Sequence, residues 1–288
     1  MNDKRVQFIY NIIDTIFSLI RLVVQISFLK RTHKIKKNYD RCIILGNGPS
    51  LKKSLLNYKQ GAANFDLVAV NFMALSDEFI EYRPNVYILC DPAFWFEEGT
   101  QKSTLEKVNL FYETVLKVTN WEMKIFLPWQ AQKSKRIKEI IKKNKNLSFH
   151  FYNKTKVEGF SFINYFVYNR QWGMPRPQNV LIASLMLTLY FDYKEIYLIG
   201  AENNWLKNIV VDNQNKVTDE FSHFYKDGKR GDRTNWGDGA KLHNVLLTLH
   251  HVFKSYVEVE SYARKSKKRI YNSTPESYID AFERKPIL

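Results

Sequence analysis

The chain has little of several features that assign a protein to a class at once. Its 288 residues include only two cysteines, Cys42 and Cys90, and both fall in apolar runs that we predict to be buried strands. Two thiols in such positions are expected to be reduced core residues of a cytosolic protein rather than a disulfide or a metal pair. Neither a GxGxxG nor a GxxxxGK[ST] pattern occurs, which excludes the two best-known phosphate-binding loops.

Acidic residues are also scarce. The chain has 29 Asp and Glu against 44 Lys and Arg, which gives a formal net charge of +15. Such an excess favours an anionic partner, namely nucleic acid, a membrane surface or a phosphorylated substrate. The basic residues are spread along the chain without a recognition motif, so we expect no nucleic-acid partner. Hydrophobic residues make up 45% of the chain, which argues against a disordered protein.

The alternation of apolar runs with helical stretches predicts an α/β protein. The predicted strands are 42–45, 65–70, 86–90, 124–127, 148–152, 195–199 and 269–271, and the predicted helices are 51–58, 76–82, 104–118, 133–144, 179–191 and 240–265. Strands that alternate with helices indicate a mostly parallel sheet covered on both faces. We therefore expect a Rossmann-like fold.

The most informative motif is Gly-Asn-Gly-Pro-Ser-Leu at residues 46–51, directly after the first predicted strand. Its two glycines allow backbone angles closed to other residues and let a ligand approach the main chain. The Ser50 hydroxyl and the free N–H groups at the start of the following helix can hold an anion. A tight strand–turn–helix at the first strand of such a sheet is typical of nucleotide binding, and an ordinary strand-to-helix turn is the alternative.

Polar residues also end the next two predicted strands. Asn71 follows the second strand and Asp91 follows the third. Because the carboxyl ends of parallel strands form the ligand crevice, these residues and Asn47 are expected to share one site.

Residues 6–29 are strongly apolar, but polar residues recur at spacings of three and four, which predicts a helix with one narrow polar stripe. The stripe consists of Asn11, Asp14, Thr15, Ser18, Arg21 and Gln25, and a basic run follows at Lys30, Arg31, Lys34, Lys36 and Lys37. We expect residues 1–38 to form an interfacial helix and basic linker on anionic lipid at the inner face of the cell membrane. A single span, which Asp14 and Arg21 make costly, and a helix packed on its own domain or on a partner subunit are the alternatives.

Residues 203–239 break the pattern of strands and helices. They are rich in Asn, Asp, Gly, Lys and Trp, and they include His223, Tyr225, Lys226 and Arg233. Loops of this length in a compact domain are often active-site lids, so we expect a flexible lid that closes on a phosphorylated donor. A surface insertion is the alternative.

Taken together, these residues resemble glycosyltransferase family 42, the bacterial sialyltransferases, and the uncharacterised proteins around that family. The likeness extends over most of residues 40–285. It rests on the 44–51 motif, the strand ends at Asn71 and Asp91-Pro92, the segment 193–200, Ser222-His223, and the segment from Ile270-Tyr271 to Phe282. The resemblance implies a single-domain, GT-A-like variant of the Rossmann fold in residues 39–288, a CMP-sialic acid donor, inversion of the anomeric centre, and no obligatory metal or other cofactor.

The resemblance also implies residue roles. Asn47 and Ser50 would contact the phosphate or sugar of the donor, and Asn71 the cytidine or sugar. The full expected donor site consists of Gly46, Asn47, Gly48, Ser50, Asn71, Asp91, Gln178, Asn179, Gly200, Glu202, Tyr225 and Arg233. The family often has Asn where this chain has Asp91, so either Asp91 holds a ribose hydroxyl or the donor is another nonulosonic acid or another nucleotide sugar.

The residues also fit such chemistry on their own. The chain has no Asp-x-Asp triplet, the usual clamp for a metal-bound diphosphate, and a single phosphate can be held by hydroxyls, N–H groups and basic side chains. A base must take the proton of the acceptor hydroxyl, and His223 is our first choice, with Asp227 in reserve.

We thus expect a sialyltransferase-like enzyme that acts on a lipopolysaccharide or capsule glycan. A pterin diphosphokinase-like enzyme on the same scaffold is a further alternative, and homo-oligomers are left open.

Overall fold

The strands of the computed structural model, which describes residues 3–25, 31–61, 64–220, 233–235 and 240–287, fall into two sheets. In chain order they are β1 (Arg41–Leu45), β2 (Asp66–Val70), β3 (Val86–Ile88), β4 (Met123–Pro128), β5 (Leu147–Tyr152), β6 (Glu195–Ile199), β7 (Val210–Val211), β8 (Val217–Glu220), β9 (Arg233–Asn235), β10 (Arg269–Asn272) and β11 (Glu283–Arg284). The seven predicted strands correspond to β1–β6 and β10.

The large sheet has eight strands in the order β11-β10-β6-β1-β2-β3-β4-β5, and every pairing in it is parallel. The chain runs outward from β1 to β5, then returns to place β6 on the other side of β1. Neighbouring strand ends diverge where the order reverses in this way, and a crevice opens between them. The fold is therefore α/β with a large parallel sheet, consistent with the predicted Rossmann-like class.

Eight helices are described. They are α1 (Asp3–Val24), α2 (Leu51–Gly61), α3 (Asp77–Tyr82), α4 (Lys102–Val118), α5 (Lys135–Ile140), α6 (Ser161–Asn169), α7 (Val180–Tyr190) and α8 (Leu242–Lys265). Helices α2–α5 pack on one face of the sheet, and α1, α6, α7 and α8 pack on the other. The helices therefore cover both faces, as expected.

Alternating side chains of the strands supply the two cores. In β1, Cys42 and Ile44 point into the α7 side, whereas Ile43 and Leu45 point into the α4 side. All four are fully buried. Cys42 and Cys90 are both free and buried, which confirms the prediction that they are reduced core residues.

Three stretches differ from the prediction. The expected helix 133–144 is only α5, because Ser134 caps a new helix after a 3-10 turn at Trp129–Lys133. The segment 203–239, expected to be a loop, contains the antiparallel sheet β7-β8-β9 in its described part. Helix α6 was not predicted, since its aromatic and β-branched residues are weak helix formers that are held by packing.

The polar stripe of α1 faces the body of the protein. The Phe160 amide donates to Thr15 Oγ1 (3.0 Å), and the Glu158 amide donates to Ser18 Oγ (2.9 Å). The Thr155 hydroxyl donates to Gln25 Oε1. Leu22, which is also buried, joins the core under α7. The apolar face of α1 is therefore turned away from the body.

Candidate functional site

A cavity of about 530 Å³ lies at the carboxyl ends of β1, β2, β3 and β6, where the strand order reverses. Its polar lining consists of Asn47, Asn71, Asp91, Lys154, Gln178, Asn179, Glu202, Asn203, Asn204 and Asn208. Gly48, Gly200 and Trp205 complete much of the wall. Most of these groups are neutral amides, which both donate and accept hydrogen bonds.

The glycine turn after β1 lies directly against the end of β6. The Gly46 amide donates to Ile199 O and the Gly48 amide to Gly200 O, each over 2.8 Å. Gly200 has φ +62°, and a Cβ there would lie 2.7 Å from Gly46 O and 2.9 Å from Leu51 Cβ. Only glycine fits this approach, so backbone contacts hold the turn against the end of β6.

Two asparagines place free acceptors beside this turn. Asn47 donates through Nδ2 to Val70 O (3.2 Å), which ties the turn to the end of β2. Asn71 adopts φ +47°, a left-handed conformation that asparagine tolerates, and its carbonyl accepts from the Tyr87 hydroxyl (2.6 Å). The Oδ1 atoms of both asparagines are buried without a hydrogen-bond partner in the described part of the chain. Buried acceptors of this kind call for a donor from a ligand or from water.

The start of α2 is occupied by a carboxylate of the chain itself. The Ser50 amide donates to Glu202 Oε1 over 2.7 Å, and Glu202 Oε2 is buried without a hydrogen-bond partner among the described residues. The Tyr278 amide fixes the Glu202 backbone by donating to its carbonyl (2.7 Å). A negative charge at this position is stabilised by the helix N-terminus. The Ser50 amide of the predicted anion site is therefore already bonded within the chain, whereas the Ser50 hydroxyl is buried without a hydrogen-bond partner among the described residues.

One buried tyrosine organises the opposite wall. The Tyr256 hydroxyl accepts hydrogen bonds from Asn179 Nδ2 (2.8 Å) and Asn203 Nδ2 (3.0 Å). Asn179 also caps α7, since its Oδ1 accepts from the Ile182 amide (3.1 Å). Burial raises the pKa of Tyr256 well above its usual value, although the two amides oppose the shift. The hydroxyl therefore stays protonated at neutral pH and acts as a fixed support.

Within the described lining of the cavity, Lys154 is the cationic side chain. Its Nζ donates to Cys90 O (3.2 Å) and lies 5.3 Å from the centre of the Trp95 ring. Asp91, the residue after Cys90, caps the 3-10 turn after β3 by accepting a hydrogen bond from the Ala93 amide (2.9 Å). Lys154 is thus held at the end of β3 by a backbone carbonyl and an aromatic ring.

The structure brings most of the expected donor site together. The residues of that prediction that line the cavity are Asn47, Gly48, Asn71, Asp91, Gln178, Asn179, Gly200 and Glu202. Gly46 and Ser50 do not line it, because one packs against β6 and the other donates its amide to Glu202. Arg233 lies in β9. His223, Tyr225 and Asp227 lie outside the described residues.

Sequence reasoning missed Lys154 and the asparagines that follow β6. Lys154 comes two residues after β5, so the strand-end rule that selected Asn71 and Asp91 would also have selected it. Asn203 and Asn204 follow the end of β6 in the same way, and Asn203 has φ +46°. The first residues of the 203–239 segment, which the sequence predicts to be a lid, form part of the cavity wall.

Across the described ranges, no group of three or more His, Cys, Asp or Glu side chains is arranged to hold a metal ion. The polar groups that the described residues contribute to the cavity are amides, two carboxylates and one ammonium group. Searches against family models, curated proteins and solved structures found no match to this chain.

Proposed function

We propose that this protein is a glycosyltransferase that takes a sialic-acid-like sugar from a CMP donor. The acceptor would be a cell-envelope glycan, and the reaction would invert the anomeric centre without a metal. The observation that carries the proposal is the described lining of the cavity at the carboxyl ends of β1, β2, β3 and β6. Amides predominate in it, and one lysine supplies the positive charge. The resemblance to the bacterial sialyltransferases supports the same assignment.

The amides suit the neutral parts of such a donor. Sugar and ribose hydroxyls and the edge of a pyrimidine each need paired donors and acceptors, which Asn and Gln side chains supply. Asn47 Oδ1 and Asn71 Oδ1, which have no hydrogen-bond partner among the described residues, are acceptors for hydroxyl or amino groups, and Glu202 Oε2 is a further one. These acceptors follow three different strands, β1, β2 and β6, which favours an extended polar ligand over a compact anion.

The charges suit a single phosphate. Lys154 is opposed by Asp91 and Glu202 in the described lining, so a diphosphate would meet more negative than positive charge there. One phosphate on Lys154 would be held by a charge-assisted hydrogen bond. Among the described lining residues there is no second cation for the second phosphate of a nucleoside diphosphate sugar.

In the proposed reaction, the bond between the anomeric carbon and the phosphate oxygen breaks, and CMP leaves toward Lys154. The acceptor hydroxyl attacks the opposite face of the oxocarbenium-like sugar and gives its proton to a base. His223 is the proposed base and Asp227 the reserve. Tyr225 and Arg233 would complete the phosphate contacts when the 203–239 segment closes as a lid, in a GT-A-like variant of the fold.

The test is nucleotide release from a panel of CMP-, UDP- and GDP-sugars by the purified full chain, with His223→Ala and His243→Ala compared. His243 lies at the start of α8 and is exposed, so its replacement controls for the loss of a histidine. We expect CMP release from one CMP-sugar, lost in His223→Ala and kept in His243→Ala.

Three results would contradict parts of this proposal. Release from a UDP- or GDP-sugar alone would refute the CMP donor. Equal activity of the wild type and His223→Ala would refute the base. If no donor reacts, thermal stabilisation by CMP but not by UDP or GDP would still support a CMP site, and no stabilisation by any nucleotide would refute it.

A further inference from the structure

Helix α1 exposes an apolar face that nothing in the described structure covers. Phe8, Ile9, Ile16, Phe17, Ile20 and Val23 are each more than half exposed. The helix is long and apolar enough to cross a membrane by length and composition alone. A continuous apolar surface of this size on a soluble domain marks an interaction site.

The opposite side of α1 is committed to the protein body. Thr15, Ser18 and Gln25 are bonded to the segment 155–160, so contacts extend along the second half of the helix. Gly159 makes this approach possible, since it has φ +115° and a Cβ there would lie 2.7 Å from Thr15 N. The helix axis therefore runs along the surface of the body.

This arrangement argues against α1 as a spanning segment. Glu158, directly under Ser18, pairs with Arg176 (3.0 Å) and Lys156 (2.9 Å). If α1 crossed the bilayer in its present seat, these charged groups would enter the hydrocarbon with it, at a high cost in free energy. A helix that lies in the plane of the interface keeps them on the protein side.

Helix α6 extends the apolar surface beyond α1. The Phe8 and Phe160 rings lie 5.5 Å apart, and the Phe160 and Phe162 rings lie 5.9 Å apart. Phe162 is 69% exposed, and Phe166, one turn further along α6, is also exposed. The two helices thus form one surface, which we call the α1–α6 face and define by the exposed apolar residues of both.

Basic side chains border this face at both ends. Lys4 and Arg5 are exposed at the beginning of α1. At the other end, Arg170 follows α6, with its guanidinium group 4.7 Å from the Phe166 ring centre. The Thr32 amide donates to Gln171 Oε1 (2.8 Å), so the exposed Arg31 precedes a residue that is bonded to the position directly after Arg170. Cations around an apolar centre match the headgroups and acyl chains of an anionic bilayer.

We propose that the α1–α6 face docks the protein on an anionic lipid bilayer, with α1 in the plane of the interface and Phe162 inserted beside it. This proposal does not depend on the proposed enzymatic function. The inverted polarity of α1, whose polar stripe binds the body and whose apolar face binds lipid, is the feature that carries it.

The experiment is flotation of the full chain with phosphatidylcholine vesicles and with phosphatidylcholine–phosphatidylglycerol vesicles, without nucleotide. The variants are Ile16→Gln with Phe17→Gln, and separately Phe162→Gln. The matched control is Leu110→Gln, because Leu110 is also 53% exposed but lies on α4, on the other face of the sheet. Thermal melts verify that each variant is folded.

We expect binding to the anionic vesicles, a loss of about tenfold or more in the α1 double variant, a smaller loss in Phe162→Gln and none in Leu110→Gln. Absence of wild-type binding, or an equal loss in Leu110→Gln, would overturn the proposal. An unchanged Phe162→Gln variant would indicate that α1 anchors alone. A dimer that the α1 double variant dissociates, without vesicle binding, would assign the face to a second copy of the chain.

Discussion

The Ser50 amide donates a hydrogen bond to the Glu202 carboxylate over 2.7 Å, although the two residues are 152 positions apart in the chain. This contact joins the turn between β1 and α2 to the segment after β6, at the place where the strand order of the sheet reverses. It also means that the N-terminus of α2, where a phosphate would otherwise be stabilised, already carries a negative charge.

Replacement of Glu202 should leave the N-terminus of α2 free to bind an anion. Glu202→Ala leaves the Ser50 amide without its acceptor, so we expect a loss of about 1–3 kcal/mol in the free energy of unfolding. Glu202→Gln keeps an acceptor oxygen and should lose less. Inorganic phosphate should raise the melting temperature of Glu202→Ala more than that of the wild type, because it can bind at the vacated N-terminus of α2.

Glu276→Ala is the matched control, since Glu276 is an exposed carboxylate whose side chain is 83% accessible. Its removal changes the net charge equally without freeing the α2 terminus. Equal stabilisation of the wild type, Glu202→Ala and Glu276→Ala by phosphate would contradict this account of Glu202.

Lys154 should distinguish a phosphate from the rest of a nucleotide. If the single cation of the described lining holds the phosphate, Lys154→Gln should weaken CMP binding by about tenfold and leave cytidine binding almost unchanged. Calorimetric titration of both ligands measures the difference. Lys124→Gln, at a partly buried lysine on β4 that pairs with Glu122, controls for the loss of charge. Equal weakening of CMP and cytidine would show that Lys154 shapes the cavity and does not hold a phosphate.

Two glycines with positive φ allow the contact between α1 and the segment 155–160 to be tested. Gly159 has φ +115° and faces Thr15, whereas Gly99 has φ +74° and meets nothing within 4 Å. An alanine at either position destabilises the fold by about 1–2 kcal/mol, because a residue with a Cβ is strained at positive φ. Only in Gly159→Ala does the added Cβ also collide with α1. We expect faster amide hydrogen exchange in residues 3–25 of Gly159→Ala and not of Gly99→Ala. Equal protection of α1 in both variants would show that the helix is held elsewhere.

Glu258 should make the stability of the fold depend on pH near neutrality. Burial raises the pKa of this carboxyl group to about 7, and the facing Glu158 and Asp14 add to the shift, while Lys254 and Arg176 oppose it. The folded state therefore holds the proton more tightly than the unfolded state. As the pH rises from about 4.5 through about 7, the fold loses stability, by about 3 kcal/mol in total.

Glu258→Gln should remove this dependence. We expect the variant to melt with the wild type near pH 5 and above it near pH 8, because the amide carries no charge to desolvate. Glu260→Gln is the control on the same helix, since Glu260 is paired with Arg264. A wild type and Glu258→Gln that respond identically to pH would contradict the raised pKa.

The sheet and much of the cavity could be predicted from the sequence because both follow from local pattern. Buried parallel strands are nearly continuous apolar runs, and their carboxyl ends must meet at one edge, which selected Asn47, Asn71 and Asp91. What could not be predicted depends on contacts between distant residues. Nothing near Ser50 in the sequence indicates that Glu202 fills the α2 terminus.

The orientation of α1 is a second example. The spacing of Thr15 and Ser18 predicts a polar stripe, but a stripe alone does not say whether it faces water or protein. The partners that decide it are the backbone groups of Glu158 and Phe160, about 140 residues away. Helix α6 could not be predicted for a related reason, because packing against the rest of the protein stabilises it and the intrinsic helix propensity of its residues is weak.

The short segment after β5 contributes one residue to the cavity and one to the contact with the end of α1. Lys154 lines the cavity, and the next residue, Thr155, bonds to Gln25 beyond α1. A protein held on lipid through this helix would meet a lipid-borne acceptor by diffusion in two dimensions, and its turnover would follow the acceptor's density on the surface rather than its amount in the volume. The ammonium group of the cavity and the contact that holds the end of α1 belong to adjacent residues, joined by one peptide bond.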